Sequence, residues 1–535
     1  MRTIILFFIL TIIGCLLPPV SVCWDKNILP KWYASEIVIC LFFVFYAIKK
    51  PTINRNPMST ALRRNISVAA SIGIFFECIW IVCQVLHNGT YILNIGVCGT
   101  FDNPCGLSTT VCVLLPVALI GIDLDIRSEF WKKYKWNMCT LVYCVLMTLL
   151  TIILVLLSKS RTGLVSLALM FIIIFFRHSR QKNIHKWACL FFLLAVTSLI
   201  VSLQKTKSTQ GRLFVLEQTW TLIAKHPIVG YGISGFQREY MKQQASYLAQ
   251  HPKCLEIMLA DEVKHPLNEF LFLWLDFGLI GPISLLCLLV VPIFVFRQST
   301  AIIEIQSAMI ISCIFSYPFN EPLPLFILFS LFFTSLWKSS YIFRKIIEKF
   351  GIRSLCLISG VSILLVLIIF FRIDTLMSSA NFYATHHKHH HSLERYEQLD
   401  SLFHKPPYLW LVYYRQSFFL YNYSYELLTT EQFNFAYKKS RECAANMSDY
   451  DLELLTGDIC LYQKNLQIAL YHYRTAFNMC PVRFAPLSGM LHSYQMLCDT
   501  VHADSIAQVI IHKPIKIKSL EVKRIKAMAF ECLKQ

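Results

Sequence analysis

Charged residues are scarce in this chain. Only 15% of its 535 residues are Asp, Glu, Lys or Arg, and 56% are hydrophobic, whereas about a quarter of the residues in a soluble globular domain are charged. This shortage excludes an ordinary soluble protein and predicts segments that cross a lipid bilayer. It extends to about Phe371, after which the composition is that of a soluble protein. We therefore expect a polytopic membrane domain followed by a C-terminal soluble domain.

The motifs of metal-dependent hydrolysis and of nucleotide-driven transport are missing. The sequence contains no HExxH, no cysteine pair at zinc spacing, no acidic run of the two-metal type and no Walker loop. We expect neither a metal site nor a cofactor. Most of the 20 cysteines lie in apolar runs, where they act as small hydrophobic residues. Cys98 and Cys105, in a predicted external loop, are the pair that could form a disulfide.

The net charge of +18 does not indicate a nucleic-acid partner. Lys and Arg cluster in short loops between the apolar runs, as the positive-inside rule describes for cytoplasmic loops. The clusters lie at 49–64, 127–135, 177–186 and 338–353. All four are cytoplasmic if the N-terminus is inside. The loop 88–106, the interval 204–276 and everything after Arg372 are then external.

Apolar runs of membrane-spanning length predict about eleven transmembrane helices. They lie at 3–22, 34–48, 66–87, 107–124, 137–157, 163–176, 187–203, 277–296, 300–317, 323–337 and 354–371. The first run could instead be a signal peptide, but no small-x-small cleavage site precedes Trp24 and further runs follow it. The predicted fold is all-α, with a polytopic transmembrane helical bundle over residues 1–371.

A linker at 372–405 is predicted to join the bundle to a helical domain at 406–535. The linker contains HHKHHH, which can bind metal adventitiously but is better explained as a solvated segment. Beyond it, small and aromatic residues recur with a period of about 34 residues, which is typical of a tetratricopeptide repeat. The positions in register are Gly457, Ala469, Tyr473, Ala476 and Pro481, then Leu491, Tyr494 and Ala503. Such arrays bind partners or steady a neighbouring domain, so we expect no catalytic residue there.

The external interval 204–276 concentrates residue types that clamp an anion or move a proton near neutral pH. Arg212 opens an amphipathic segment, and His226, Arg238 and His265 follow it. Arg212 could be no more than a solvated helix end. If the protein catalyses a reaction, we expect the reaction in this interval.

Two further segments carry candidate residues. Arg161, in SKSRTG, lies at the predicted external end of two adjoining spans, where it either snorkels to the surface or binds a substrate. The segment KHPIVGYGISGF has glycines at 230, 232 and 235. A phosphate-binding loop of this kind follows a strand, and none is predicted here, so a glycine-rich re-entrant turn is favoured.

These motifs resemble the O-antigen ligase and polymerase superfamily of bacterial envelope glycosyltransferases. The resemblance rests on GTFDNPCGLS at 99–108, SRTG at 160–163, Arg212 with HPIVGYGISGF at 226–236, HPLNEFLFLWLDFGLIG at 265–281 and SYPF at 316–319. It covers most of residues 66–337. The C-terminal tetratricopeptide pattern is similar to that of family members from Bacteroides-like bacteria.

The resemblance implies a metal-independent enzyme of the bacterial inner membrane with a periplasmic C-terminal domain. Its substrates are a glycan linked to undecaprenyl diphosphate and an acceptor hydroxyl on lipid A–core or on a protein. Arg161 and Arg212 match the arginines thought to hold the diphosphate, and His265 falls in the motif that supplies the catalytic His. Many members have a His directly before the Asn of this motif, and here that position is Leu267.

Four further residues are predicted to bind substrate from their place in the same motifs. They are Asn268, Glu269, Arg238 and His226.

Two other functions remain compatible with the sequence. A polymerase that extends carrier-linked repeat units would use the same motifs. A transporter or flippase for lipid-linked glycan is a different class, and the lack of internal repeat symmetry among the spans and of carboxylates in most of them disfavours it.

Overall fold

The computed structural model describes residues 2–18, 25, 27–48, 60–89, 96–120, 138–178, 206–252, 254–340, 345, 351–405, 413–516 and 518–534. Within these ranges the chain forms 21 α-helices and no strand, so the all-α prediction is confirmed for them. The chain divides into two compact units. The first unit comprises Met1–Gln204, Leu267–Phe270 and Ile283–Arg372, and the second comprises Lys205–Pro266, Leu271–Pro282 and Ile373–Gln535.

Thirteen helices precede the C-terminal tail. They are α1 (Arg2–Cys15), α2 (Leu29–Ile48), α3 (Thr60–Asn88), α4 (Pro104–Leu119), α5 (Met138–Ser158), α6 (Arg161–His178), α7 (Thr206–Lys225), α8 (Gly235–Gln250), α9 (Glu269–Phe277), α10 (Ile280–Val295), α11 (Thr300–Phe315), α12 (Pro322–Ser339) and α13 (Ile352–Thr385). Short 3₁₀ turns lie at Leu255–Met258 and Pro318–Asn320.

Four helices of the described residues are long and apolar enough to cross a membrane. They contain Arg64–His87, Leu141–Ser158, Pro322–Ser339 and Ser354–Thr385. Shorter apolar helices lie at Pro104–Leu119, Arg161–Ile174, Ile280–Val295 and Thr300–Phe315. Each predicted span that falls within the described residues overlaps a helix, while the span at 187–203 lies outside them. The count of about eleven spans therefore stays a prediction.

Helix α4 is the core of the first unit and is buried from Leu107 to Ala118. Pro104 occupies its first turn, and the Asn103 side chain caps it by accepting the N–H of Gly106 at 2.8 Å. α4 packs against α3, α5, α6 and α11. Gly163 in α6 lies so close to Ser108 that a Cβ atom there would clash with it. This close approach places the start of α6 beside the start of α4.

Buried charges fix the loop at 96–103, which carries the first motif. Lys31 Nζ lies 3.1 Å from Glu321 Oε2 and 3.8 Å from the centroid of the Phe101 ring. Glu77 accepts hydrogen bonds from the N–H and the hydroxyl of Thr100, at 3.0 and 2.7 Å. Removal of one partner from such a buried pair typically costs about 3–5 kcal/mol, so the loop is tied firmly to the helices behind it.

The disulfide considered from the sequence is absent. Cys98 and Cys105 are separate free thiols, and the Cys105 thiol donates to Ser316 Oγ at 2.9 Å. The geometry of the loop therefore directs Cys105 toward the SYPF segment and not toward Cys98.

The tail consists of eight helices in the second unit. They are α14 (His389–Phe403), α15 (Tyr413–Thr429), α16 (Phe433–Asn446), α17 (Tyr450–Tyr462), α18 (Leu466–Met479), α19 (Ala485–Met496), α20 (Thr500–His512) and α21 (Leu520–Cys532). The residues predicted as a linker are largely helical, because they form the end of α13 and all of α14. Arg415 donates three hydrogen bonds to the carboxylate of Asp374 in α13, at 3.0, 3.3 and 3.1 Å.

The turns of the tail repeat one geometry. Glu431, Lys464 and Cys498 adopt positive φ angles of 60°, 62° and 55°, and in each case the residue that follows returns a backbone hydrogen bond to the carbonyl five positions earlier. This pattern closes the end of a helix with a left-handed residue. The three turns recur at about 34 residues, the period read from the sequence.

The residues assigned to the repeat register lie where helices approach each other. Ala469 and Ala476 in α18 and Ala503 in α20 are buried. Gly457 and Gly489 are both packed directly against the Tyr473 ring, leaving no room there for a Cβ atom. The Tyr473 hydroxyl donates to Asp458 at 2.7 Å, which satisfies the one polar group that this ring buries.

The helices α7 and α8 pack on the tail within the second unit. A single buried cluster contains Leu222, Phe236 and Tyr240 from this pair and Tyr450, Ala476 and Met479 from the tail. The Gln244 side chain donates to the Met479 carbonyl at 2.8 Å, and Ser448 N–H donates to the Gln237 carbonyl at 2.8 Å. The interval 204–276 thus shares a hydrophobic core with the C-terminal tail.

Candidate functional site

Arg161 is the first residue of α6. The chain turns sharply between α5 and α6 because Lys159 adopts a positive φ of 52°, and Ser160 Oγ accepts the N–H of Gly163 at 3.3 Å. The Arg161 side chain is half-buried. A helix N-terminus favours negative charge, so a guanidinium at this position adds to a locally positive end.

Asn268 and Glu269 hold the turn that contains SYPF. The Asn268 amide donates to the Ile314 carbonyl at 3.0 Å, and Glu269 Oε1 accepts the N–H of Phe319 at 3.2 Å. Glu269 is buried. Leu267, directly before them, adopts a positive φ of 58°, which is unusual for a residue with a bulky side chain. The sequence analysis predicts that both residues bind substrate. In this structure each side chain forms a hydrogen bond with the backbone near SYPF.

The first unit therefore gathers four of the motif segments. Gly163 of SRTG packs against Ser108 of the first motif, and Cys105 of that motif bonds to Ser316 of SYPF. Asn268 and Glu269 connect the segment HPLNEF to the turn that contains SYPF. Arg161 lies in this group of segments.

Arg212, His226, Arg238 and His265 belong to the second unit. Arg212 lies in α7 and is half-buried, between the exposed Leu213 and the polar start of the helix. The structure thus divides the predicted site residues between the units, with Arg161, Asn268 and Glu269 in the first.

Asp276 and Arg238 close the glycine-rich loop at 230–236 from two sides. Asp276 accepts the N–H groups of Ser234 and Phe236, each at 3.1 Å. Arg238 donates to the Ile233 carbonyl at 2.9 Å and also to the Tyr231 carbonyl. The N–H groups of Tyr231 and Gly232 donate to the carbonyls of Leu275 and Asp276, each at 2.8 Å. The loop is a tight turn bound to α9, and its re-entry into a membrane stays a prediction.

Two glycines are required where this loop crosses the end of α9. Gly230 and Gly278 have φ angles of +73° and +62°. A Cβ atom at Gly278 would clash with the Ile228 carbonyl, and one at Gly230 would meet the backbone of Leu275 and Asp276. Only glycine combines this conformation with so close an approach.

Burial raises the pKa of the Asp276 carboxyl to about 6, and the N–H bonds from Phe236 and Ser234 and the charge of Arg238 oppose that rise. The folded loop keeps its proton up to about pH 6, whereas an unfolded aspartate loses it near pH 4. The free energy of opening this loop should therefore fall by roughly 3 kcal/mol as pH rises from about 4 to 7.

Hydrogen exchange of the 234–240 amides, corrected for intrinsic rates, measures this opening. Asp276→Asn should remove the pH dependence. Asp449→Asn is the matched control, because burial also raises the pKa of Asp449 but Asp449 lies in the tail, so this variant should keep the dependence. Equal pH dependence in wild type and Asp276→Asn would contradict the assignment.

His265 lies in the extended segment before α9. Its ring stacks on the Phe272 ring, with centroids 4.6 Å apart and planes 29° apart, and it is half-buried. His226 is exposed and meets the Tyr231 ring edge-on at 4.7 Å. The Phe272 contact fixes the orientation of the His265 ring and leaves part of it accessible.

An acidic cluster escaped the sequence analysis. Carboxylate oxygens of Glu262, Asp449 and Asp451 all lie within 4.8 Å of one another, and Arg483 and Lys264 pair with this group. Burial, together with the charge of Glu262, raises the pKa of Asp449 to about 7. No sequence signal joins residues so far apart. The packing of the segment that carries Glu262 on the tail brings them together.

Comparison with known proteins agrees with the motif segments. Residues 146–286 match the family model for O-antigen ligase, which is about a quarter of the chain. No curated protein matches this chain. The matched range contains Arg161, Arg212 and His265, and the resemblance to the O-antigen ligase superfamily is therefore confirmed. Over residues 146–286 the chain is similar to the O-antigen ligase family.

Proposed function

We propose that this protein transfers a whole glycan from undecaprenyl diphosphate to an acceptor hydroxyl, on lipid A–core or on a protein. The observation that carries the proposal is the gathering of four motif segments around Arg161 in a unit of apolar helices, partly within the matched ligase domain. A membrane-boundary position suits a substrate whose head group stays attached to a lipid carrier.

The arginines supply the electrostatic part of the reaction. Bond formation between the acceptor oxygen and the glycan's anomeric carbon breaks the bond to the carrier diphosphate, which leaves with the bonding electrons. The leaving group improves once its charge is neutralised. A guanidinium binds phosphate through two parallel hydrogen bonds and stays charged at any working pH. Arg161 and Arg212 take this role.

His265 takes the acceptor proton. An alcohol is a weak nucleophile until a base removes its proton as the new bond forms. The ring of His265 is held by Phe272, so its orientation does not depend on the substrate. No step requires a metal, and activity should survive chelators. Asn268, Glu269, Arg238 and His226 belong to or adjoin the same motifs and contribute to substrate binding.

We place the reaction on the periplasmic face of the bacterial inner membrane. An odd number of spans that starts in the cytoplasm ends in the periplasm, and the Lys and Arg clusters of the short loops support that orientation. The tail, read as tetratricopeptide-like repeats, then lies in the periplasm. The core that it shares with α7 and α8 supports a role in steadying the external interval, alongside recruitment of an acceptor partner.

Surface glycan from a deletion strain tests the proposal. A ligase mutant should accumulate carrier-linked glycan of full length and lose the glycan from its acceptor. A polymerase mutant should instead attach single repeat units. Unchanged surface glycan of normal length, with no accumulated carrier-linked material, would contradict both enzymatic functions.

A further inference from the structure

An open groove of about 600 Å³ lies between two turns of the tail. One turn joins α15 to α16 and the other joins α17 to α18. Its lining includes the aromatic residues Phe433, Phe435 and Tyr462 and the amide residues Asn434, Gln463 and Asn465. The two turns are those closed by left-handed Glu431 and Lys464, so the repeat geometry itself brings the two sides of the groove together.

Aromatic rings form the apolar part of the groove. Phe433 and Tyr462 stack with centroids 5.7 Å apart and planes 6° apart. Tyr462 is 62% exposed and Phe435 is 63% exposed. Large aromatic side chains are costly to leave in water, and grouped exposed ones mark a binding surface. The stack on Phe433 also holds the Tyr462 ring in one orientation.

Amide side chains form the polar part. Gln463 donates to Asn434 at 3.0 Å, and Asn465 donates to Gln463 at 3.3 Å. This series of hydrogen bonds orients three planar amides, one from α16 and two from the turn between α17 and α18. Each amide has donors and an acceptor. Glu431 and Lys464 add one charge of each sign, so the groove has no net charge.

We infer that this groove binds a saccharide chain. A sugar ring has an apolar face of C–H groups, which packs on an aromatic ring, and an edge of hydroxyls, which pair with amides and carboxylates. A lipid would need a continuous apolar lining, and a phosphate would need an excess of basic groups; the groove has neither. The inference rests on the proposed function, in which the transferred glycan is a substrate. An acceptor that itself carries sugars, such as lipid A–core, is a second saccharide that could occupy the groove.

Binding to the full-length protein in nanodiscs tests the inference. The probes are the oligosaccharide released by mild acid from the host strain's carrier-linked glycan and, separately, the core oligosaccharide released from its lipid A; saturation-transfer NMR reports contact, and titration gives Kd. Tyr462→Ala and Phe435→Ala should each weaken binding of one probe by about tenfold or more. Tyr462→Phe should retain binding, because it keeps the ring and its stack.

The matched control is Tyr471→Ala, which removes a tyrosine that is 65% exposed on α18 but outside the groove, and should leave Kd unchanged. The probe that loses affinity identifies the donor or the acceptor glycan as occupant. Equal binding by Tyr462→Ala and wild type, or no binding of either probe, overturns the inference. The inference is also overturned if the wild-type protein binds peptides from a tryptic digest and Tyr462→Ala and Phe435→Ala do not, because the groove is then a peptide-binding site.

The two proposals fail separately. If Arg161→Ala abolishes transfer but keeps saccharide binding, both stand. Saccharide binding in a wild-type protein that transfers no glycan would remove the proposed function and leave the groove assignment intact. If the wild-type protein transfers glycan fully but Tyr462→Ala binds saccharide as well as wild type does, the groove assignment fails and the proposed function stands.

Discussion

Replacing Arg161 or Arg212 with alanine is expected to slow glycan transfer by roughly 10²-fold or more, the usual effect of losing one charge-assisted contact to a desolvated phosphate. Arg161 begins α6, where the helix end adds positive potential, and the Gly163–Ser108 contact fixes that end against α4. Arg212→Lys should not restore full activity, because an ammonium cannot reproduce the planar fork of the guanidinium.

Initial rates with purified carrier-linked glycan measure the effect, with protein level and folding checked for each variant. Lys242→Ala is the matched control: it removes an exposed cation of α8 that pairs only weakly with Glu239, at 3.6 Å, and its rate should equal that of wild type. Wild-type rates for both arginine variants would show that the diphosphate is bound elsewhere.

Replacing His265 with alanine is expected to slow transfer by about 10²–10⁴-fold, the range for loss of a general base. Carrier binding should stay nearly unchanged, because a base acts mainly in the transition state. The stack on Phe272 gives the experiment a second arm: Phe272→Ala should lower the rate by a smaller factor, since it frees the ring without removing it. Turnover and carrier affinity, measured separately, distinguish a base from a binding residue.

His502→Ala is the control for this series, because it removes an exposed histidine of the tail and should leave turnover unchanged. If His265→Ala transfers at the wild-type rate, the base lies elsewhere. The next candidates are His226, Glu269 and His251, an exposed histidine directly after α8. Of these, Glu269 is buried and already accepts the Phe319 N–H. The leucine at 267 would then signal altered chemistry.

Local patterns in the sequence were enough to predict the helices. Apolar runs gave the positions of α3, α5, α12 and α13. The repeat register of the tail stays a prediction, and the positive-φ turns at Glu431, Lys464 and Cys498 recur at a similar spacing. The linker at 372–405 stays a prediction, and most of its residues are helical. Its polar and histidine-rich composition is typical of a solvated segment, and that composition does not indicate the bond between Asp374 and Arg415, which lies 41 residues further along the chain.

The candidate site was predicted in part, because motifs identify residues but not their partners. Arg161, Arg212 and His265 all fall in the matched ligase domain. Their roles stay predictions. The role of Asp276 in closing the glycine-rich loop depends on a contact between segments about 40 residues apart, and the hydrogen bond of Arg238 to Ile233 is equally invisible in a linear pattern. Long-range hydrogen bonds of this kind leave no periodicity to find.

The measurement that tests the account most directly is glycan transfer by the purified full-length protein in nanodiscs, supplied only with undecaprenyl-diphosphate-linked glycan and acceptor, in the presence of a chelator. The account predicts formation of glycosylated acceptor and release of undecaprenyl diphosphate in equal amounts. Both products should be lost together in Arg161→Ala and Arg212→Ala and kept in Lys242→Ala. Elongated carrier-linked glycan with an unmodified acceptor, or no transfer by the folded wild-type protein, would contradict it.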